Sequence, residues 1–152
     1  MNGSVVDPLG YLQRRARYRR VMSDLSEARR AWEAFAAVSA PEEIGLLDAW
    51  DADVEYVEDP RWPGAGSFRG QDAVGARFRE YLEDLGAIPR LVVEDVRETP
   101  GGLVSLVRVS GSTPRGLPFD HLWAYRFRMR EGRIVWFRAF VDPDEAMTAA
   151  ED

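Results

Sequence analysis

The spacing of apolar residues changes period once, near Gly86, and that change restricts the fold more than any motif in the chain. Before it the intervals are three and four: Ala28, Ala31, Trp32 and Phe35 within "SEARRAWEAFAAVS", then Val74, Phe78, Tyr81, Leu82 and Leu85 within "QDAVGARFREYLEDLG". Each set falls on one side of a helix, and that side has to be buried. After Gly86, "PRLVVEDVRE", "GLVSLVRVSGS", "LPFDHLWAYRFRMR" and "RIVWFRAFV" are rich in β-branched and aromatic residues and are parted by Gly or Pro. They read as four strands. Helices followed by consecutive strands predict an α+β domain, its curved antiparallel sheet wrapped around the N-terminal helices.

Local signals bound the elements. Asp7-Pro8 suits the cap and first turn of a helix through "LGYLQRRARYRRV", and Ser23 or Ser26 is placed to cap a second. Pro41, Glu42 and Glu43 resemble the first turn of another, with Ile44, Leu46, Leu47 and Trp50 on its apolar side. "DVEYVED" reads as a short strand stopped by Pro60. Glu131-Gly132 suits a two-residue hairpin turn, which would pair residues whose numbers sum to 263. On that register Ala124 faces Ala139, Tyr125 faces Arg138 and Phe127 faces Trp136. The tail "DPDEAMTAAED" reads as a short helix over the open end of the sheet. The domain reading is a basic extension at 1–22, partly helical or disordered, followed by a pocket domain at 23–152.

At 152 residues, 45% hydrophobic, one domain can bury a core without metals or disulfides. The absence of Cys removes thiol nucleophiles and Cys-ligated zinc, and the lone His121 offers little basis for a metal centre or a Ser-His-Asp triad. No metal or other cofactor is expected. A net charge of −6 argues against nucleic-acid binding. Residues 14–20, "RRARYRR", depart from that balance with five Arg, either a solvated helix face or a partner-binding patch. No apolar run is long enough for a membrane span, and no hydrophobic signal core follows the basic N-terminus, so a soluble cytoplasmic protein is expected.

The order helix, helix, "VEYVEDPRWPGAGSFRG", helix and four strands ending "EGRIVWFRAFVDPDEA" resembles the SnoaL-like branch of the nuclear transport factor 2-like superfamily, over about residues 26–147. The resemblance implies a cystatin-like roll, a cone of curved sheet and helices. It implies one apolar pocket for a small hydrophobic molecule, and a homodimer through the outer face of the sheet. Ketosteroid isomerase, a relative of that branch, keeps its general base in an Asp-Pro at the end of the first strand, which matches Asp59-Pro60. Its oxyanion donors fall, by counting, on Phe35 and Ala124, and neither donates a hydrogen bond. Asp120 would replace Ala124 only if the last hairpin were four residues longer. The last-strand acid of limonene epoxide hydrolase and of many polyketide cyclases falls on Ala139, so epoxide hydrolysis is not expected.

These comparisons imply pocket walls from Trp32, Phe35, Phe78, Leu82, Ala124, Arg126, Phe137 and Ala139, with Trp62 either closing the mouth or stapling its loop onto the third helix. Asp59 is the candidate base if an apolar wall raises its pKa, with Arg61 or Arg126 beside an anionic oxygen; the other reading is a turn starter or an ion pair with Arg61. Glu55 shares its strand face but stands roughly 13 Å away, too far to share a proton. With Ala124 facing the pocket, Trp123, Tyr125, Phe127 and Trp136 would form a dimer surface; otherwise those aromatics are core and Arg126 and Arg128 are solvated. The expected function is isomerase- or cyclase-like proton transfer on a small hydrophobic substrate, or, alternatively, a noncatalytic ligand-binding or homodimeric association domain. If Asp59 is the base, its replacement by Asn should abolish turnover and leave thermal stability nearly unchanged.

Overall fold

The computed structural model of the chain describes residues 7–149, apart from the side chains of residues 20–24, 45 and 46. The start of the expected basic extension (1–6), the end of the expected C-terminal helix (150–152) and the side chain of Arg20 lie outside the described residues. Helix α1 spans Pro8–Ala36, and a 3-10 helix follows at Pro41–Leu46. Then come β1 (Trp50–Val57), β2 (Ser67–Arg69), α2 (Gln71–Leu85), β3 (Arg90–Thr99), β4 (Gly102–Ser112), β5 (Pro118–Arg130), β6 (Arg133–Phe140) and α3 (Pro143–Thr148). The α+β class and the curved, unclosed sheet are as the period change predicts.

Two expected helices merge into one. No Gly or Pro interrupts residues 11–36, so Ser23 and Ser26 sit inside a continuous α1 rather than capping a new start. Asp7 does cap α1, its Oδ1 accepting from the Gly10 N–H at 2.9 Å. Gly86 ends α2 in the left-handed region, φ 72°.

The sheet order is β2-β1-β6-β5-β4-β3. Its two halves join through β1 and β6, which run parallel; the remaining pairs are antiparallel. The turn at Glu131 (φ 52°) and Gly132 (φ 76°) forms as expected, pairing Arg130 with Arg133 and Met129 with Ile134. Beyond it the register slips by one: Arg128 pairs with Trp136, Phe127 with Phe137, Tyr125 with Ala139 and Ala124 with Phe140. The irregularity at Val135 is a β-bulge, which adds a residue to one strand and bends it. Nothing in the composition of β6 announces that bulge.

The slip decides which face is the core. Phe127, Phe137, Tyr125 and Ala139 point together at α1, where Trp32 stacks on Tyr125 at 4.9 Å and meets the Phe127, Phe137 and Phe35 rings edge-on. Trp50, Phe78 and Tyr56 extend the same cluster toward α2. Tyr125 and Phe127 are therefore interior residues and Trp123 packs against the interior, so they form no dimer surface. Ala124 and Arg126 lie on the outer side, where α3 brings Ala146 against Val104, Ala124 and Phe140. Arg126 is nonetheless only 3% exposed, with Nη2 donating to the Gly101 carbonyl, so it is not solvated either. No helix among the described residues is long and apolar enough to cross a membrane.

Candidate functional site

The sequence draws attention to Asp59, and the structure surrounds it with donors. Val54 and Tyr56 alternate inward along β1, Glu58 continues that alternation, and the chain turns immediately afterwards, so Glu58 and Asp59 are both buried. Asp59 starts that turn: its Oδ1 accepts the Arg61 N–H at 3.0 Å, and its carbonyl accepts the Trp62 N–H at 2.8 Å. Its Oδ2 accepts the Val141 N–H at 2.8 Å, from the residue just past the end of β6. Arg61 Nε stands 3.4 Å from Oδ1, and Arg61 Nη2 reaches Glu145 on α3. The first loop and the last helix are thereby tied together.

These partners set the acidity of Asp59. Burial opposes ionisation, but the Val141 and Arg61 backbone N–H groups, followed by the Arg61 guanidinium, outweigh it and hold the carboxyl below its ordinary range. A base for carbon acids needs the opposite shift and a free lone pair aimed at substrate. Arg61 is bound to two carboxylates and is half exposed.

The neighbouring acid makes a second tie. Glu58 accepts from Arg77 Nε at 3.0 Å and Nη2 at 2.9 Å, and from the Gly66 N–H at 3.0 Å. The Arg77 guanidinium lies between the Phe68 and Tyr81 rings, 5.2 and 5.1 Å from their centroids. This bidentate pair closes the 58–66 loop onto α2. Strand parity alone marks Glu58 as inward-facing, two residues beyond the buried Tyr56, whereas Asp59-Pro60 is the more conspicuous pair in the sequence.

The interior keeps few polar groups. Tyr56 and Tyr81 bring their hydroxyls to 3.3 Å, and burial raises the Tyr56 pKa well above the usual phenol value. Burial also raises that of Tyr125. Ser105 pairs across the ladder with Tyr125 and so shares its inward face. Ser105 Oγ and Trp32 Nε1 are both buried and have no hydrogen-bond partner among the described residues. His121 Nε2 is a third such atom, four pairs farther along β5 on the same face. Ser105 looks unremarkable in "GLVSLVRVSGS", where its neighbours dictate a strand and nothing indicates a deficit of partners.

Trp62 turns toward β5. It is 40% exposed and meets Trp123 edge-on at 5.5 Å, while Trp123 meets His121 at 4.9 Å. Trp32, Phe35, Phe78, Phe137 and Ala139, expected as pocket walls, are buried together in one interior cluster. Leu82 lies instead in a surface groove with Pro41 and Ile88. Asp120 is on the outer face, exposed and paired with Arg108 at 2.9 Å, in a ladder with Glu94. No group of three or more acids or His among the described residues is placed to hold a metal.

This geometry defines the fold class: a helix-lined cone of curved sheet, the nuclear transport factor 2-like, or ketosteroid isomerase-like, fold. Solved structures agree. Bal32a, from a soil-derived mobile gene cassette, is similar with TM-score 0.63 and 21% identity, covering 79% of this chain and 89% of its own. A nuclear transport factor 2-like protein of unknown function from Burkholderia pseudomallei is similar with TM-score 0.60 and 23% identity, covering 82% and 96%. TerC, co-crystallised with polyporic acid, has TM-score 0.61 and 18% identity, covering 77% and 89%. No family model and no curated protein sequence matches the chain.

Proposed function

We propose that the chain is a noncatalytic binding protein whose cone takes up a small, largely hydrophobic molecule carrying a carbonyl or hydroxyl oxygen. The observation that carries this reading is the pair of unpartnered interior groups, Trp32 Nε1 and Ser105 Oγ, the first on a ring stacked against Tyr125 and the second on its ladder partner. A buried donor without a partner costs about 1–3 kcal/mol, and an apolar residue at position 105 would avoid that cost. An oxygen atom entering between aromatic walls supplies the missing acceptor, and the surrounding rings supply apolar contact. Entry requires the interior rings to part, and the exposed Trp62 against Trp123 is the part of the wall most open to movement.

The same geometry argues against isomerase- or cyclase-like proton transfer through Asp59, since its carboxylate is acidic and held by two backbone N–H groups. The TerC structure supports a binding role for the fold in that protein. The test is displacement of the fluorophore anilinonaphthalene sulfonate by a panel of apolar ketones and phenols. Ser105→Ala should weaken the best ketone about tenfold, the loss of one hydrogen bond, and leave Tm equal or slightly higher. A panel without a displacing compound, or a variant that binds the ketones unchanged, would refute the proposal.

A further inference from the structure

The first half of α1 stands apart from the cone. No residue from Asp7 to Arg19 is buried, and Leu9, Tyr11, Leu12 and Tyr18 are 73%, 55%, 58% and 66% exposed. From Pro8 to Leu25 the helix measures roughly 27 Å. Tyr11 and Tyr18 are seven residues apart and share one side, flanked by Arg14 and Arg15; Arg17 and Arg19 are exposed as well. Residues 7–20 hold five Arg and one acid, whereas the rest of the chain holds fifteen Arg against twenty-five acids. The arm is cationic and the body is anionic.

The body also carries a seat of complementary character. Between the 3-10 helix and the last turn of α2 lies a groove of about 330 Å³, lined by Pro41, Leu82, Glu83, Gly86, Ala87 and Ile88. Glu83 is exposed, as are Glu42 and Asp84, each next in sequence to a lining residue, and Glu43 one position farther. The groove sits at the C-terminal end of α2, where helix carbonyls add partial negative charge. Apolar floor and acidic rim match apolar arm residues and their Arg neighbours.

We propose that the arm of one copy lies in the Pro41–Leu82–Ile88 groove of a second copy, with Arg14 and Arg15 against Glu83 and Asp84, in a reciprocal two-fold exchange. Its own arm cannot fill the groove without a break in α1, which is continuous through Ala36. A polyanion would meet the repulsion of the acidic body, and a membrane would find Arg on every side of the arm. A second copy offers the arm an acidic, grooved surface that the chain itself encodes.

The test uses the full chain and two charge-reversed variants, Arg14→Glu with Arg15→Glu, and Glu83→Arg with Asp84→Arg. All four positions are exposed, so thermal melts should match the parent. Sedimentation velocity at tens of micromolar protein should show a dimer that weakens between about 50 and 500 mM salt, as screening shortens. Each variant alone should be monomeric, because its arm and groove then carry like charge. An equimolar mixture should restore the dimer, since both arm–groove contacts are again between opposite charges. Any of four results overturns the proposal: a monomeric parent, variants that remain dimeric (association through another surface such as the outer sheet), a mixture that stays monomeric, or a monomeric parent that shifts duplex DNA or binds anionic vesicles through the arm.

Discussion

Replacing Asp59 by Asn separates a structural carboxylate from a catalytic one. The carboxylate is 4% exposed and accepts from Val141 N–H at 2.8 Å, Arg61 N–H at 3.0 Å and Arg61 Nε at 3.4 Å. Asn keeps one acceptor oxygen but turns an NH₂ toward the other donor, so at least one charge-assisted bond is lost. Hydrogen bonds to a charged group contribute about 1.5–3 kcal/mol each, which puts the cost near 2–3 kcal/mol. For a chain of this size each kcal/mol shifts Tm by about 2–4 °C, so Tm at pH 7 should fall by roughly 4–12 °C. The depressed pKa adds a pH signature. A carboxyl more acidic in the fold contributes stability that is present above its unfolded pKa, about 3.9, and is lost as pH falls through the folded value. The difference between parent and variant should therefore shrink below about pH 4. Circular dichroism melts from pH 7 to pH 3 read both effects. A Tm within about 1 °C of the parent at pH 7, as a catalytic base would give, would refute the structural assignment.

Arg61→Ala should cost no more than about 1 kcal/mol in a urea titration, because its guanidinium is half exposed and both backbone donors to Asp59 remain. A loss as large as that from Asp59→Asn would show the side-chain pair, not the backbone, to hold the corner. Arg77→Ala leaves Glu58, only 2% exposed at its side chain, as a buried charge without its bidentate partner, and should cost about 3–5 kcal/mol. Adding Glu58→Gln should recover part of that loss. Tyr56 and Tyr125 have pKa values raised by burial, so neither should contribute phenolate absorbance near pH 10 while the fold holds. Stability from these two groups is present at neutral pH and declines as pH rises above the unfolded tyrosine value, their absorbance appearing together with unfolding.

Much of the architecture was legible because it depends on neighbours in sequence. The spacings of Ala28 to Phe35 and of Val74 to Leu85 placed two helical faces, the Asp7 and Gly86 caps marked two ends, and Glu131-Gly132 located a turn. Each is a property of a few consecutive residues acting on their own backbone. The break expected in α1 but absent from it belongs to the same class: serines near residue 23 permit a cap but do not compel one while helical hydrogen bonding continues past them.

The site was not legible in that way, since its groups meet across long stretches of chain. One irregular residue in β6 changed which face of β5 stands beside Ala139, sending Tyr125 inward with it and Ala124 and Arg126 outward, because side chains alternate with a period of two. Asp59 was found by sequence, but its meaning came from Val141, 82 residues away, whose N–H turns a candidate base into an acidic anchor. Glu58 became half of an ion pair only through Arg77, and Ser105 became a candidate ligand contact only once its surroundings proved to lack a partner. Sequence by itself determined the elements, since local backbone preference and periodicity are encoded within a few residues. Tertiary structure alone decided which side chains face the interior and which charges are neutralised, because those depend on register and on donors brought together by folding.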